Sequence, residues 1–509
     1  MNSLSCPAIG AAPGGPVREN AMSMNRRSLI GAAGLALTAP ALQGAQAAET
    51  AKPAAKPAAK APPPPATKIL AQWILGSTYD TLPEPVRREG VRSFLNWVGV
   101  AIGGSHHETV DVAVSALQPF SGPPQAGLFG RTERFDIMNA AFLNGVSSHI
   151  FDFDDTHLKT IIHPAGPVAS AILAYAAMKP VSGKDFLDAL VVGIEAECRI
   201  GNAVYPNHYD AGWHITGTCG PFGAAAAAGK LMGLTEQQMV YALGLAASQP
   251  VGLRESFGSM NKSFNPGRAA SNGLFAAILA AKGFTSSDGM IEAKRGWANT
   301  ISTKQDWSEI TDGLGTRYEA QLNTYKPFAC GIVMHPTIDA AIQIRDADHV
   351  RPEDVQRVDL KVHPLVLELT GKTAPKTGLE GKFSIYHAAA VAFVEGAGGE
   401  KQFSDRAVND PRVVALRQKV VPVITPGVDP AQVDMTVTLT DGRTFHRHIE
   451  HAIGSVEKPM SDAQLEAKFT DLAAGILPDA QARKVMQLCW SLPDLKDAGD
   501  VARAGVAGT

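Results

Sequence analysis

Three carboxylates within four residues stand in Asp152-Phe153-Asp154-Asp155-Thr156-His157, with His163-Pro164 close behind. Like charges this near repel unless a cation stands beside them. Three uses of such a segment compete. Carboxylates and histidines ligate divalent metals. Asp152 to Asp155 also spells the Asp-x-Asp-Asp acid of class II terpene cyclases. The third use is a loop after a helix, in which one Asp acts on a substrate while the others cap backbone amides. Cyclases line their cavities with aromatics to stabilise carbocations, and six Trp and eight Tyr in 509 residues argue against that reading. The metal and loop readings stay open on these residues alone.

Two further segments carry polar groups that chemistry uses. Gly212-Trp213-His214-Ile215-Thr216-Gly217-Thr218 lacks the Gly-x-Gly-x-x-Gly spacing of a dinucleotide site. Ser259 to Gly267 reads as a polar loop ending in Pro266-Gly267 and holding one lysine, Lys262. Taken singly, His214 is a hydrogen-bonded structural histidine and Lys262 a solvated charge. No Gly-x-Ser-x-Gly elbow anchors a hydrolase triad. Cys198, Cys219, Cys330 and Cys489 are far apart and form no Cys-x-x-Cys pair, so zinc spacing is absent and reduced thiols are expected.

The elements that must position these groups are mostly helical. Residues 136–150, 167–178, 185–200, 220–232 and 236–247 repeat apolar side chains at three- and four-residue spacing. Thr235 with Gln238 forms a capping box, and the small residues Ala224 to Ala228 permit close helix approach. The texture changes near residue 323. Val355 to Leu369 reads as extended, Lys382 to Val394 as helical, and Val433 to Ile449 as a hairpin turning at Asp441-Gly442. Ser461 with Gln464 then opens a helix over Leu465 to Leu477. The expected fold is mainly α: a helical domain over 67–322 that returns at 458–509, with an inserted, smaller α+β lid domain over 323–457. A net charge of -3 gives no footprint for nucleic acid.

The N-terminal residues read as targeting rather than fold. Arg26-Arg27 precedes a mildly apolar run, Leu29 to Ala41, and Ala45-Gln46-Ala47 offers small residues to a signal peptidase. The pattern predicts a twin-arginine signal over 1–47, export to the periplasm and no stable membrane anchor. A Pro/Ala/Lys-rich tether follows over 48–66.

Together the segments resemble the MmgE/PrpD family, which includes 2-methylcitrate dehydratase and cis-aconitate decarboxylase. The resemblance runs through Asn144-Gly145 to His149, Asp152 to Thr156 with His163-Pro164, Gly212 to Thr218, and Lys262 to Gly267. It continues through Tyr325-Lys326-Pro327-Phe328-Ala329-Cys330, Lys382-Phe383-Ser384 and Lys468-Phe469. It implies a homodimer with no metal and no organic cofactor, acting on a small polycarboxylate. By position, the family's active-site residues fall on Asp152, Thr156, His163, His214, Lys262 and Lys326. His163 and His214, titrating near neutral pH, are expected to exchange the proton next to a carboxylate while Asp152 orients an imidazole. Thr156, Lys262 and Lys326 are expected to bind substrate. Relatives often place Tyr three residues beyond Lys-Phe-Ser; here His387 stands there, an expected catalytic residue, with Tyr386 beside it as a substrate contact. Asn265 replaces the usual His after the loop lysine, and the interval from Asp152 to His163 is one residue longer than in the decarboxylase type. These departures imply a substrate other than methylcitrate or aconitate. The expected reaction is a dehydratase-like lyase step; a decarboxylase, an epimerase or a non-catalytic carboxylate binder are the alternatives.

Overall fold

Apolar residues at helical spacing over the first half of the chain give long helices, and the computed structural model, which describes residues 62–508, places them around one hydrophobic core. The first, Ala66–Gly76, begins where the tether composition ends. The segment carrying the twin arginine lies outside the described residues. The helices Ile137–His149, Ala165–Met178, Gly183–Val204 and Ile215–Leu231 match the periodic segments in the sequence. Glu236–Ala247 starts at the capping box of Thr235 and Gln238. Among the described residues, no helix is long and apolar enough to cross a membrane.

Residues 259–267 depart from the expected loop. A 21-residue helix, Asn261–Ala281, begins there and packs against Ile215–Leu231 and Ile137–His149. Pro266 lies within its second turn, where it withholds one N–H from the helix ladder without ending it. Both facing glycines are required by contact: a Cβ built on Gly267 would come 2.5 Å from the Phe142 carbonyl oxygen, and one on Gly145 2.6 Å from the Gly267 Cα. The Pro-Gly pair that reads as a helix breaker is therefore a crossing point of two helices.

A second core gathers residues 328–452 around a four-stranded sheet. Its order is Val420–Ile424, Val355–Val362, Val433–Leu439, Thr444–Ile449, with the first pair parallel and the others antiparallel. Val433, Met435, Val437 and Leu439 alternate into this core, and the hairpin turns at Asp441-Gly442 as its sequence requires. The strand from Val355 stops at Val362, short of the expected Leu369. His363-Pro364 starts a helix, Pro364–Thr370, because proline fits a first helical turn. Val100, Phe153 and Leu472, from the helical part of the chain, are buried in this second core. The chain then returns to helices with Asp462–Ala473, capped by Ser461 and Gln464, which packs on Glu84–Gly104.

One short ladder decides the geometry of the site. Asp155–His157 pairs antiparallel with Asn323–Tyr325, Asp155 opposite Tyr325 and Thr156 opposite Thr324. The register sets Lys326, just past the second strand, beside the segment Asp152 to Asp154.

Candidate active site

A cavity of about 30 Å³ lies between the two cores. Asp152, His163, Tyr209, His214, Phe257 and Lys262 come from the helical side, and Lys326, Ile332, Val333 and Phe383 from the other. His149 ends the helix Ile137–His149, and the chain turns sharply at Asp152, whose φ of 50° is a left-handed conformation that Asp tolerates better than most residues. The turn aims the Asp152 carboxylate at two ammonium groups. Its Oδ1 accepts from Lys262 Nζ at 2.8 Å and from Lys326 Nζ at 3.0 Å, and Lys326 also donates to the Asp152 carbonyl at 3.0 Å. Burial alone would raise this carboxyl, but the two lysines outweigh it and hold it well below the usual carboxylate range. Asp152 Oδ2 has no partner.

Three imidazoles stand together, with His149 and His163 centroids 4.8 Å apart and His214 6.0 Å from His149. Their partners fix their tautomers. The Asp155 carbonyl lies 2.7 Å from His163 Nδ1 and can only accept, so Nδ1 carries the proton and Nε2 keeps its lone pair. The Asn265 amide nitrogen donates to His214 Nδ1 at 2.9 Å, so the His214 proton is on Nε2, which is buried without a partner. His149 donates from Nδ1 to Asp154 at 2.6 Å and accepts at Nε2 from Lys262 at 2.7 Å. One side chain is thus poised to take a proton and another to donate a hydrogen bond.

The expectation that His163 and His214 titrate near neutral pH does not hold. Burial, reinforced by the nearby lysine charges, holds His149, His163 and His214 well below the ordinary imidazole value, so all three are neutral. For His163, Asp154 Oδ1 at 3.6 Å from Nδ1 works in the other direction and favours an imidazolium once formed. Burial also lowers Lys262, against the pull of Asp152. Its ammonium lies 5.2 Å from the Phe257 ring centroid and 5.6 Å from that of Phe383.

The structure brings Asp152, His163, His214, Lys262 and Lys326 to one cavity. Thr156 stands behind them, its hydroxyl 3.3 Å from His163 Nδ1. His387 and Tyr386 are placed elsewhere. His387 Nε2 donates to the Gln402 carbonyl at 2.9 Å and its ring packs edge-on to Phe403, while Tyr386 packs against the second core. The reason is helical geometry: Ser384 caps the helix Ile385–Glu395, so the residues after it turn away and Phe383, before it, lines the cavity.

Four residues outside the expected set complete the arrangement. His149, Asp154 and Asn265 act through the contacts above. Lys468, from the returning helix, donates to Asn96 Oδ1 at 2.8 Å, the Phe153 carbonyl at 2.6 Å and the Lys326 carbonyl at 2.9 Å. It ties together the two segments that carry Asp152 and Lys326. His149 and Lys468 both lie in segments that carry the family resemblance, and Asn265 is visible as a departure from it; nothing in the sequence gives His149 or Lys468 a role at the site.

A metal in this cluster faces a specific competitor. His149, Asp152, Asp154 and His163 offer donor atoms within 4.8 Å of one another. The Lys262 ammonium already bonds to two of them, His149 Nε2 and Asp152 Oδ1, and fills the cationic role.

Comparison with known proteins agrees over most of the chain. The MmgE/PrpD N-terminal domain model matches residues 68–310 and the C-terminal domain model residues 328–492. Cis-aconitate decarboxylase of Aspergillus terreus is 26% identical over 463 residues, covering 85% of this chain and 94% of its own. The human cis-aconitate decarboxylase is 28% identical over 455 residues, covering 85% and 92%. The 2-methylcitrate dehydratase of Cupriavidus necator is 23% identical over 389 residues, covering 70% and 80%.

Proposed function

The chain belongs to the MmgE/PrpD family, and from that premise we propose that it is a lyase acting on a small polycarboxylate by moving a proton next to a carboxylate. The observation that carries the reading is the pair of opposite tautomers, His163 with a free Nε2 and His214 with a free Nε2–H, at a cavity holding two ammonium groups. Each ammonium has three N–H donors, and Lys262 and Lys326 each spend two on the protein. One N–H from each remains for a substrate carboxylate, where it stabilises the charge that develops as the adjacent carbon loses its proton.

In the dehydratase form, His163 Nε2 takes the α-proton. The freed electron pair becomes the C=C bond as the β-hydroxyl departs. That hydroxyl shares the free Lys262 N–H with the neighbouring carboxylate in a bifurcated hydrogen bond and leaves as water with its proton, since the lowered pKa of Lys262 suits a donor. His214 Nε2–H holds a carboxylate oxygen as its charge grows. The imidazolium on His163 then returns the proton to Lys262 through solvent. A decarboxylase is the second reading, favoured because the decarboxylases align over 85% of this chain against 70% for the dehydratase. There the carbon–carboxylate bond breaks, carbon dioxide leaves, and the carbanion that keeps the electron pair takes a proton from Lys262, which regains it from solvent.

We further propose that residues 323–457 act as a lid over this cavity, that the protein works as a homodimer, and that it is exported to the periplasm by its twin-arginine segment. The deciding experiment is NMR in deuterated buffer with a panel of di- and tricarboxylates. Deuterium next to a carboxylate, or a new alkene signal, is the expected result, and released carbon dioxide would select the decarboxylase. No exchange and no product across the panel would refute the lyase reading.

A further inference from the structure

A cavity of about 30 Å³ has room for roughly two waters, so a substrate whose carboxylates reach its two lysines extends beyond it. Next to it lies a second cavity of about 340 Å³, within the ~300–1,000 Å³ of ordinary ligand pockets. The two share a wall of Ile161, Ile332 and Val333. Beyond that wall the larger chamber is lined by Leu158, Tyr205, Leu365, Pro430, Ala452 and Ile453, among others.

Its few polar groups do not suit an anion. Lys159 is turned to Glu309 at 2.9 Å, Asp429 carries the wrong sign, and burial lowers His335 to about 3, so that ring is neutral. A substrate carboxylate has its cations in the small cavity and none free in the large one. On a different wall, sharing Phe257 and Leu369, a cavity of about 690 Å³ is lined by Asp210, Arg254, Glu255, Glu368 and Lys372 and offers a charged approach. The reacting centre thus stands between a polar mouth and an apolar chamber.

The partition itself is unusual. Ile161 has φ of 62°, a left-handed conformation that a β-branched residue rarely adopts. Its N–H donates to the His157 carbonyl at 2.8 Å, closing the turn that carries it. Such strain persists where the surroundings hold it, and it clusters at ligand sites.

Resting on the lyase reading above, we propose that the substrate is a polycarboxylate bearing an apolar substituent longer than methyl, whose carboxylates sit on Lys262 and Lys326 while its hydrocarbon tail passes Ile161, Ile332 and Val333 into the larger chamber. Ile161 and Ile332 are then specificity-determining residues, and the chamber ranks substrates by tail length.

The test uses the mature chain and a series of 2-alkyl citrates from methyl to hexyl, measuring deuterium exchange and, by calorimetry, affinity. The expected result is a gain of roughly threefold to fourfold in kcat/KM and in affinity per added methylene. Leu365→Trp, which fills the far chamber without touching the small cavity, should abolish the gain and leave the methyl member unchanged. Ala431→Phe serves the same purpose should the Trp variant fold poorly. Exchange on the methyl compound with a flat or falling series would overturn the subsite and leave the lyase reading standing. Affinity rising with tail length without exchange on any member would uphold the subsite and overturn the lyase reading. Absence of binding throughout the series would overturn both.

Discussion

His163 and His214 differ in what their Nδ1 atoms meet, a carbonyl in one case and an amide N–H in the other, and the roles proposed for them rest on that difference. We predict that His163→Gln lowers kcat by about 10²–10⁴-fold while tricarboxylate affinity measured by calorimetry stays within a few-fold. A binder without turnover would show no activity to lose. Asn265→Leu removes the donor that fixes the His214 tautomer, and should cost roughly 10–100-fold in kcat with little change in KM. Asp155 offers a pH test. Burial, with Asp154 beside it, raises its carboxyl from 3.8 to about 7. A raised folded-state value means that this group's stabilisation is full below about 4 and is lost as pH rises to about 7. Asp155→Asn keeps the acceptor for Asn323 and Ala165 but does not titrate. Thermal melts between pH 4 and 7 should therefore fall more steeply for the wild type than for the variant.

At the scale of elements, the helix Asn261–Ala281 carries Lys262 and Asn265 together, and its seat against Ile137–His149 depends on two facing glycines. Gly145→Ala should destabilise the fold by about 1–3 kcal/mol through overpacking, read as a lower denaturant midpoint. The same displacement should weaken the Lys262–Asp152 contact and raise KM. Lys468 works between elements. Burial lowers it to about 7, and its three N–H groups have three acceptors. Replacing it with Met leaves buried carbonyls of Phe153 and Lys326 without their donor, at about 1–3 kcal/mol.

For the whole molecule, the cavity lies between two hydrophobic cores, so a bound substrate contacts both. A ligand at 100 times its Kd should stabilise the fold by about 2.7 kcal/mol, and Lys262→Met should erase the associated rise in melting temperature. Because the Lys262 ammonium occupies the centre of the His and Asp cluster, treatment with EDTA should leave activity undiminished. Inactivation by the chelator, reversed by a divalent ion, would return the cluster to metal chemistry.

What the sequence by itself determined is what short-range rules govern. The capping boxes at Thr235 and Ser461, the Asp441-Gly442 hairpin and the periodic helices each depend on neighbours a few residues away. The candidates Asp152, His163, His214, Lys262 and Lys326 come instead from several segments taken together and in order, since none of those segments is decisive alone. Tertiary structure decided the rest. Pro266-Gly267 stays helical because a second helix crosses at Gly145, over a hundred residues earlier. His387 leaves the site because Ser384 sets the helix phase. The histidines are neutral because burial and two lysines surround them, and Lys468 matters only because Phe153 and Lys326 arrive at its tip. Charge state and hydrogen-bond role are properties of surroundings, and those surroundings are assembled from segments hundreds of residues apart.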